Sequence, residues 1–591
     1  MSDGADSDDD FEMDIGVSDR RRLVRHFLGR TAAVVVVLGL WYVTRPLWHG
    51  LVYSMLFSPS ATVLLGGSLL TALVLWYYPP WRMEADGNDG RSVSVVDDGS
   101  DDEEFPFEAT PGELFDIGGT RGRKLQRFTS VVAVLFVLSI LVGIPAGPLE
   151  QRTLAAQTMA DATEVAEFPD ANPENPRVVP RQVSDVATSG SVSYRQHRLG
   201  ASDIARTENG SLAWSYAIEP DGFRNRVVEN QRGVLVADMT ELDERPVEVY
   251  DQEFTYGQGM FLYRSADWRL KSTDYLAKYN DEPVEFSHDG QPYMFYPKTG
   301  HEWHLAPFPH TTPTWKGGAL VHTNGTVEHL SPEEARSHPV LDGQRLYPLT
   351  LTRAEMESLN YRNGIINQLP VVGAHEDEVE VAGLPDSAEN SQPFVIDLEG
   401  ERMSYVTALE PYGSDTRGLD EVWFADAETG EYTYFATGRE QLTGPERAMG
   451  VARASDSRTN WGENFVVAEP VPITVDGELW WQIKVVPTDA TDVARNVFVN
   501  ANDSATVELR TDAGIRSFVA GEQVPDRSEP PRNGTDSSDG DSADGGQDED
   551  VLYYVVVTDQ EGNVVERIPV RRGQDTRIVD PGGSENATAS G

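Results

Sequence analysis

FTSVVAVLFVLSILVGIPAGPL, residues Phe128 to Leu149, is an uncharged run that follows directly on Arg121, Arg123, Lys124 and Arg127. About 20 apolar residues in a helix cross roughly 30 Å of hydrocarbon, so the run reads as a membrane span with a basic cytoplasmic flank. It divides the chain. Ahead of it lie two more apolar stretches and two acidic segments; behind it lies a long polar, strand-patterned region with no further span.

Working outward toward the N-terminus, residues 1–27 are an acidic tail that turns basic at RRRLVRHFLGR, and residues 28–79 form an expected hairpin of two membrane helices. The first of these contains Arg45 and Pro46 among Trp41, Tyr42 and Trp48, where Arg45 is read as an interfacial anchor. The second runs from Ser60 to Tyr78 and ends in YYPPWR, with Gly66 and Gly67 as packing residues. Residues 80–127 are an acidic linker with a basic flank, within which FPFEATPGELFDI has the composition of a short docking element. Basic flanks before the first and third spans put the N-terminus inside and everything after Leu149 outside.

The sequence has 96 acidic and 48 basic residues, a net charge of -48, and 39% hydrophobic residues. Disorder requires high charge together with low apolar content, so this balance fits a halophilic surface instead. Carboxylates hold water and cations in molar salt, where a screening length of about 3 Å removes their repulsion. An archaeal halophile is the source this composition implies. The same charge excludes nucleic acid as a partner, because a phosphate backbone needs a basic stripe. The absence of cysteine excludes disulfides and thiolate metal sites.

Beyond the third span, at 128–149, residues 150–190 are expected to form a stalk, 191–520 an external α+β domain rich in strands, 521–550 a disordered acidic linker, and 551–591 a small β segment with a tail. The acceptor motif N-x-S/T occurs at Asn209, Asn324, Asn502, Asn533 and Asn586, all after the third span. That distribution agrees with an outward domain and marks a glycoprotein.

Within 191–520 three segments share one layout of turn, aromatic strand, crossing, strand, tight turn and strand. Asp289-Gly290 precedes QPYMFYP, and GGALVHT turns at Asn324-Gly325 into TVEHL. Glu399-Gly400 precedes ERMSYVTAL, and DEVWFADA turns at Thr429-Gly430 into EYTYF. Asp476-Gly477 precedes ELWWQIKVVP, and RNVFVNA turns at Asn502-Asp503 into SATVEL. Partial echoes occur at GVLVADMTELDERPVEVY and YYVVVTDQEGNVVERI. The layout, over residues 284–510, resembles the PepSY-like and related extracytoplasmic β modules. The resemblance implies a non-catalytic surface or inhibitory binding role and brings no catalytic residues with it.

Helices are expected at ADWRLKSTDYLAKY after Ser265, at SPEEAR capped by Ser331, at TRAEMESL capped by Thr352, and at GPERAMGVARA. Seven of the eleven histidines fall between His288 and His338, and His301, His304 and His310 are the metal candidates. HEWHLAPFPHTTP, with three prolines, reads as a loop. No nucleophile elbow or phosphate loop is present, and Tyr293, Trp423, Trp480 and Trp481 read as sheet and core residues. The expected protein is a membrane-anchored surface binding or assembly protein without cofactors, whose partners are the bilayer and other envelope proteins. A metal-dependent extracellular enzyme and a membrane component of a virus or mobile element are the alternatives.

Overall fold

The computed structural model describes residues 17–77, 120–522, 551–558 and 564–571, apart from loop positions 193, 243–244, 280–282, 370–372, 386–389, 401, 414–417, 439–441 and 457–458. The acidic tail, most of the 80–127 linker with its docking element, the acidic linker from 523, Asn533 and Asn586 lie outside the described residues. The chain divides into two units, Met1–Val524 and Pro525–Gly591. The second contains one antiparallel hairpin, Val551–Thr558 with Val564–Arg571.

Unit 1 begins with α1 (Val17–Phe57), a single helix that runs through Pro46. The next apolar stretch is interrupted: α2 (Pro59–Ala61), a π turn (Thr62–Gly66) and α3 (Gly67–Tyr77). The Thr62 hydroxyl donates to Ser58 O at 3.0 Å, a side-chain intrusion of the kind that loosens a helical ladder. The long α4 (Thr120–Asp161) follows. Two helical stretches, Thr31–Phe57 and Arg127–Asp161, are long and apolar enough to cross a membrane, whereas Pro59–Val74 is a shorter apolar helix. Gly67 and Gly143 permit close packing here, since a Cβ on Gly67 would lie 2.7 Å from the Leu135 side chain and one on Gly143 2.9 Å from Ser60.

The expected stalk is part of the β domain. Helix α4 carries the apolar run without a break into the domain, where Leu154 and Ala155 are buried. β1 (Thr163–Glu164) then pairs with a strand of the domain, Phe168 stacks on Phe435 with ring centroids 4.1 Å apart, and Val178, Val179 and Val183 are fully enclosed. Prolines punctuate this segment, but its apolar residues make it a packed strap.

Four antiparallel meanders follow. The first is β2 (His197–Arg206), β3 (Leu212–Pro220), β4 (Gly233–Asp238) and β5 (Val247–Asp251). The second is β7 (Val284–His288), β8 (Gln291–His304), β9 (His310–His322) and β10 (Val327–Leu330), with β6 (Lys278–Tyr279) beside the far half of β8. The third is β12 (Phe394–Leu398), β13 (Arg402–Pro411), β15 (Glu421–Asp426) and β16 (Tyr432–Ala436), flanked by β1 and by β11 (Val379–Val381); the short β14 (Gly418–Leu419) pairs with β17 (Leu442–Thr443). The fourth is β18 (Phe465–Val475), β19 (Glu478–Pro487), β20 (Arg495–Asn500) and β21 (Thr506–Leu509). The sequence echo at 233–250 is thus half of a fourth unit. Helices α5 (Arg181–Ser189), α6 (Gly222–Val228), α7 (Ala266–Thr273), α8 (Pro332–Arg336), α9 (Leu349–Ser358), α10 (Pro445–Ser455) and α11 (Asp512–Val519) join or cover the sheets.

The first strands converge. Arg206 of the first sheet pairs with Asp397 of the third, Arg181 links Ser202 of the first to Glu469 of the fourth, and Glu285 of the second bonds Ser215 of the first. The sheets are therefore tied to one another close to their first strands. Turns between first and second strands gather on one face. Glu208 accepts from Gly290 N, and the strap at 169–175 bonds Glu399 N, Thr474 and Gly210 O. Because consecutive turns of a meander alternate between its ends, Asn209, Asn324 and Asn502 share this face, exposed on tight turns. The β8–β9 turn lies at the opposite end.

Several local expectations change. Asp289-Gly290 and Asp476-Gly477 have both residues at positive φ, as a type I′ hairpin requires. In Asn324-Gly325 only the glycine does, at +86°. Ser331 caps α8 in a full capping box, but α9 starts at Leu349 and takes Thr352 into its first turn. The helix after Ser265 ends at Thr273, and β6 takes up Lys278 and Tyr279. The proline-rich stretch at 301–313 is a hairpin, not a loop: His304 pairs with His310 and His301 with Pro313. β10 reaches only Gly318 to Val321 of β9, so Pro313 lies where β9 is a sheet edge and needs no donor.

Candidate functional site: a polar centre and the cleft beside it

Each first strand carries one acid, the partly buried Asp203 on β2 and the buried Glu285 on β7, Asp397 on β12 and Glu469 on β18. Three of them meet an arginine. Asp397 takes 2.7 Å from Arg206 and further bonds from Asn172 and Asn175 at 3.0 and 2.9 Å. Glu469 takes Arg177 Nε at 3.0 Å, Arg181 N at 3.1 Å and Asn390 at 2.9 Å. Asp203 is paired with Arg345, which also donates to Ile204 O at 2.9 Å and to Tyr405 at 3.2 Å. Burial pushes the Asp203 carboxyl up and Arg345 draws it back.

Glu285 differs. Its partners are Ser215 at 3.3 Å and Gln258 at 2.8 Å, both neutral. Burial, reinforced by the charge of Asp203, holds it well above the usual carboxylate range. A carboxyl with neutral partners in such a site favours its acid form. Glu469 sits at a β-bulge between Ala468 and Val471 with φ of +43°, a backbone cost that turns its side chain into the centre. Lys484, opposite Ala468 in the register, is fully buried and pushed down to about 7 by desolvation against the pull of Glu469.

An open cleft of about 620 Å³ adjoins this centre, lined among others by Arg181, Arg353, Glu357, Asn390, Ser391 and Gln392. Asn390 connects it to Glu469, and Arg353 donates to Ser391 at 3.4 Å. Two guanidinium groups with amides and a hydroxyl suit a ligand bearing oxygen acceptors, such as a carboxylate or a polyol. Among the described residues the lining includes one acid, Glu357.

The metal candidates lie elsewhere. His304 and His310 face each other across β8 and β9 with rings stacked at 4.9 Å. His304 bonds Thr312 at 2.9 Å, and His310 bonds Thr153 of α4 at 2.9 Å and Phe308 O at 2.9 Å. His301 turns to the first helix, bonding Tyr53 at 2.8 Å and stacking on Phe57, and desolvation lowers it to about 4. Among the described residues no three histidines or carboxylates gather as a metal site. Arg45 donates to Tyr42 O at 2.8 Å and also reaches Ser272 O of α7, so it ties α1 to the domain. Trp423 and Trp481 are core, with Trp423 stacked on Tyr434 at 4.6 Å; Trp480 packs edge-on against Phe518 and Tyr293 lies against Phe286.

The polar centre was missed in the sequence because its pairs span up to 292 positions. The one available signal was a lone acid within each apolar strand. No family model matches the chain, and no curated protein matches it. Among solved structures, an exo-1,5-α-L-arabinanase from a bovine ruminal metagenomic library aligns with 56% of this chain and 83% of its own at 12% identity, with a TM-score of 0.16. A likeness of that size carries no argument about this chain.

Proposed function

We propose that this is a membrane-anchored surface protein of a high-salt organism, with three apolar spans, an inward N-terminus and an outward β domain that binds rather than catalyses. The observation that carries this reading is helix α4. It holds the basic flank, the apolar run and the buried contact residues Leu154 and Ala155 in one continuous element, so the domain is coupled rigidly to whatever the run inserts into. The acceptor asparagines Asn209, Asn324 and Asn502, exposed on the face away from the β8–β9 turn, support an outward and glycosylated domain. The Arg181–Arg353 cleft supports a binding role, in keeping with the resemblance to non-catalytic extracytoplasmic modules.

Protease treatment of intact cells in high salt, with mass spectrometry of the released peptides, tests this. Peptides from 190–580, some glycosylated at these asparagines, are the expected result. Cleavage confined to the turn near Ser58 would put the β domain inside and end the surface reading.

A further inference from the structure

The β8–β9 hairpin runs beside the exit of α4. His310 bonds Thr153, and Thr311 donates to Phe57 O at the end of α1 at 2.8 Å. Further along, Thr312 to Trp315 line a cavity with Leu154 to Asp161. Strand β9 and helix α4 thus ascend together, and the hairpin tip points back toward the apolar run. Thr153 stands four residues above Leu149, about 6 Å along a helix. The tip stands two or more residues beyond His310, about 7 Å along a strand. The tip reaches the level at which the apolar run ends.

Its composition fits that level. Residues 303–310 read WHLAPFPH, with no formal charge. Trp303 is 41% exposed, Leu305 75% and Phe308 51%, although large apolar groups at a domain tip gain nothing from water. The adjacent charges, Glu302 and Lys316, are paired with each other at 3.1 Å. An aromatic and apolar tip beside a span, with its polar groups one pair of residues higher, has the layout of an interfacial membrane anchor.

We infer that the tip from Trp303 to Phe308 enters the outer leaflet of the bilayer beside α4, as a lipid contact additional to the helices. This rests on the membrane-anchored reading. The chain has no cysteine, so single cysteines can be introduced at Leu305, Ile144 and Asn209 of the full chain and coupled to an environment-sensitive fluorophore. The labelled proteins are then placed in phosphatidylglycerol vesicles with and without brominated lipid. At position 305 the expected result is blue-shifted emission and at least a twofold loss of intensity with brominated lipid. Position 144 should be quenched as strongly or more, and position 209 not at all. If 144 is quenched while 305 stays water-exposed, the inference is wrong. A blue shift at 305 without lipid quenching would assign the tip to a second copy or another protein, and also overturns it. An unquenched 144 would remove the membrane reading itself, and the inference with it.

Discussion

At the centre of the β domain, Asp397 is buried and receives Arg206, Asn172 and Asn175. At the β8–β9 tip, Leu305 keeps three quarters of its surface exposed. The first region encloses charge and meets three of its four acids with arginines. The second presents apolar groups that the domain itself leaves uncovered. In a chain with a net charge of -48, both are exceptions to an acidic exterior over an apolar interior, and they differ in where the missing partner comes from. The centre supplies its own. The tip must find one outside the domain, and a substitution should therefore be costly in the first and nearly silent for folding in the second.

The largest effect follows from breaking the centre. Asp397→Ala removes the carboxylate that Arg206, Asn172 and Asn175 share inside the domain, and breaking a buried pair costs about 3–5 kcal/mol in comparable sites. Urea unfolding of the full chain, followed by tryptophan fluorescence, should show an unfolding free energy lowered by that amount, read as a lower midpoint at unchanged slope. Leu305→Ala should leave the same midpoint in place. Equal losses in the two variants would erase the distinction.

Glu355 sharpens the comparison, because it is a buried acid beside α4 whose side-chain partners among the described residues are two tyrosines. Tyr347 donates to it at 2.9 Å and Tyr432 at 2.5 Å. Burial raises it to about 7 in spite of both hydroxyls. An acid raised in the fold contributes stability below its unfolded value, near 4.5, and that contribution is lost as pH rises through 7. The loss amounts to about 3 kcal/mol at 1.36 kcal/mol per pH unit. Glu355→Gln should flatten the stability profile between pH 4.5 and 7, measured by urea midpoints at fixed salt. A slope that survives the substitution would locate the titration elsewhere.

How much of this the sequence disclosed depends on distance along the chain. Alternation and Gly turns show local pairing, so QPYMFYP, ERMSYVTAL and ELWWQIKVVP were legible as strands and SPEEAR as a capped helix. The position of Leu154 was not, because proline and alanine at 145–162 carry no sign of what the helix meets above the apolar run. Nor was the hairpin at 301–313, since a proline on a sheet edge and a proline in a loop look the same until β10 is known to stop short. The centre was hidden most thoroughly. Arg177 and Glu469, or Arg345 and Asp203, are two of very many opposite-charge pairings available to 144 charged residues, and only the convergence of first strands selects them. The histidine window was prominent by count alone, and the fold distributes it among Tyr53, Thr153 and Thr312.

The smallest effect concerns the Lys316–Glu302 pair at the base of the tip. Its distance, 3.1 Å, matches the 3.0 Å of the Arg177–Glu469 bond in the centre, yet both of its side chains are about half exposed. Water and salt screen such a pair, and exposed pairs are worth 0–1 kcal/mol. Glu302→Gln should change the unfolding free energy by less than about 1 kcal/mol, and raising the salt from 1 M to 3 M should not enlarge the difference. Asn390→Ala, which removes one neutral donor from Glu469 while leaving Arg177 in place, should cost more than Glu302→Gln even though no ion pair is broken. Burial then sets the ranking of these contacts, because an acceptor deprived of one bond in the centre has no solvent to replace it, whereas Lys316 at the tip does.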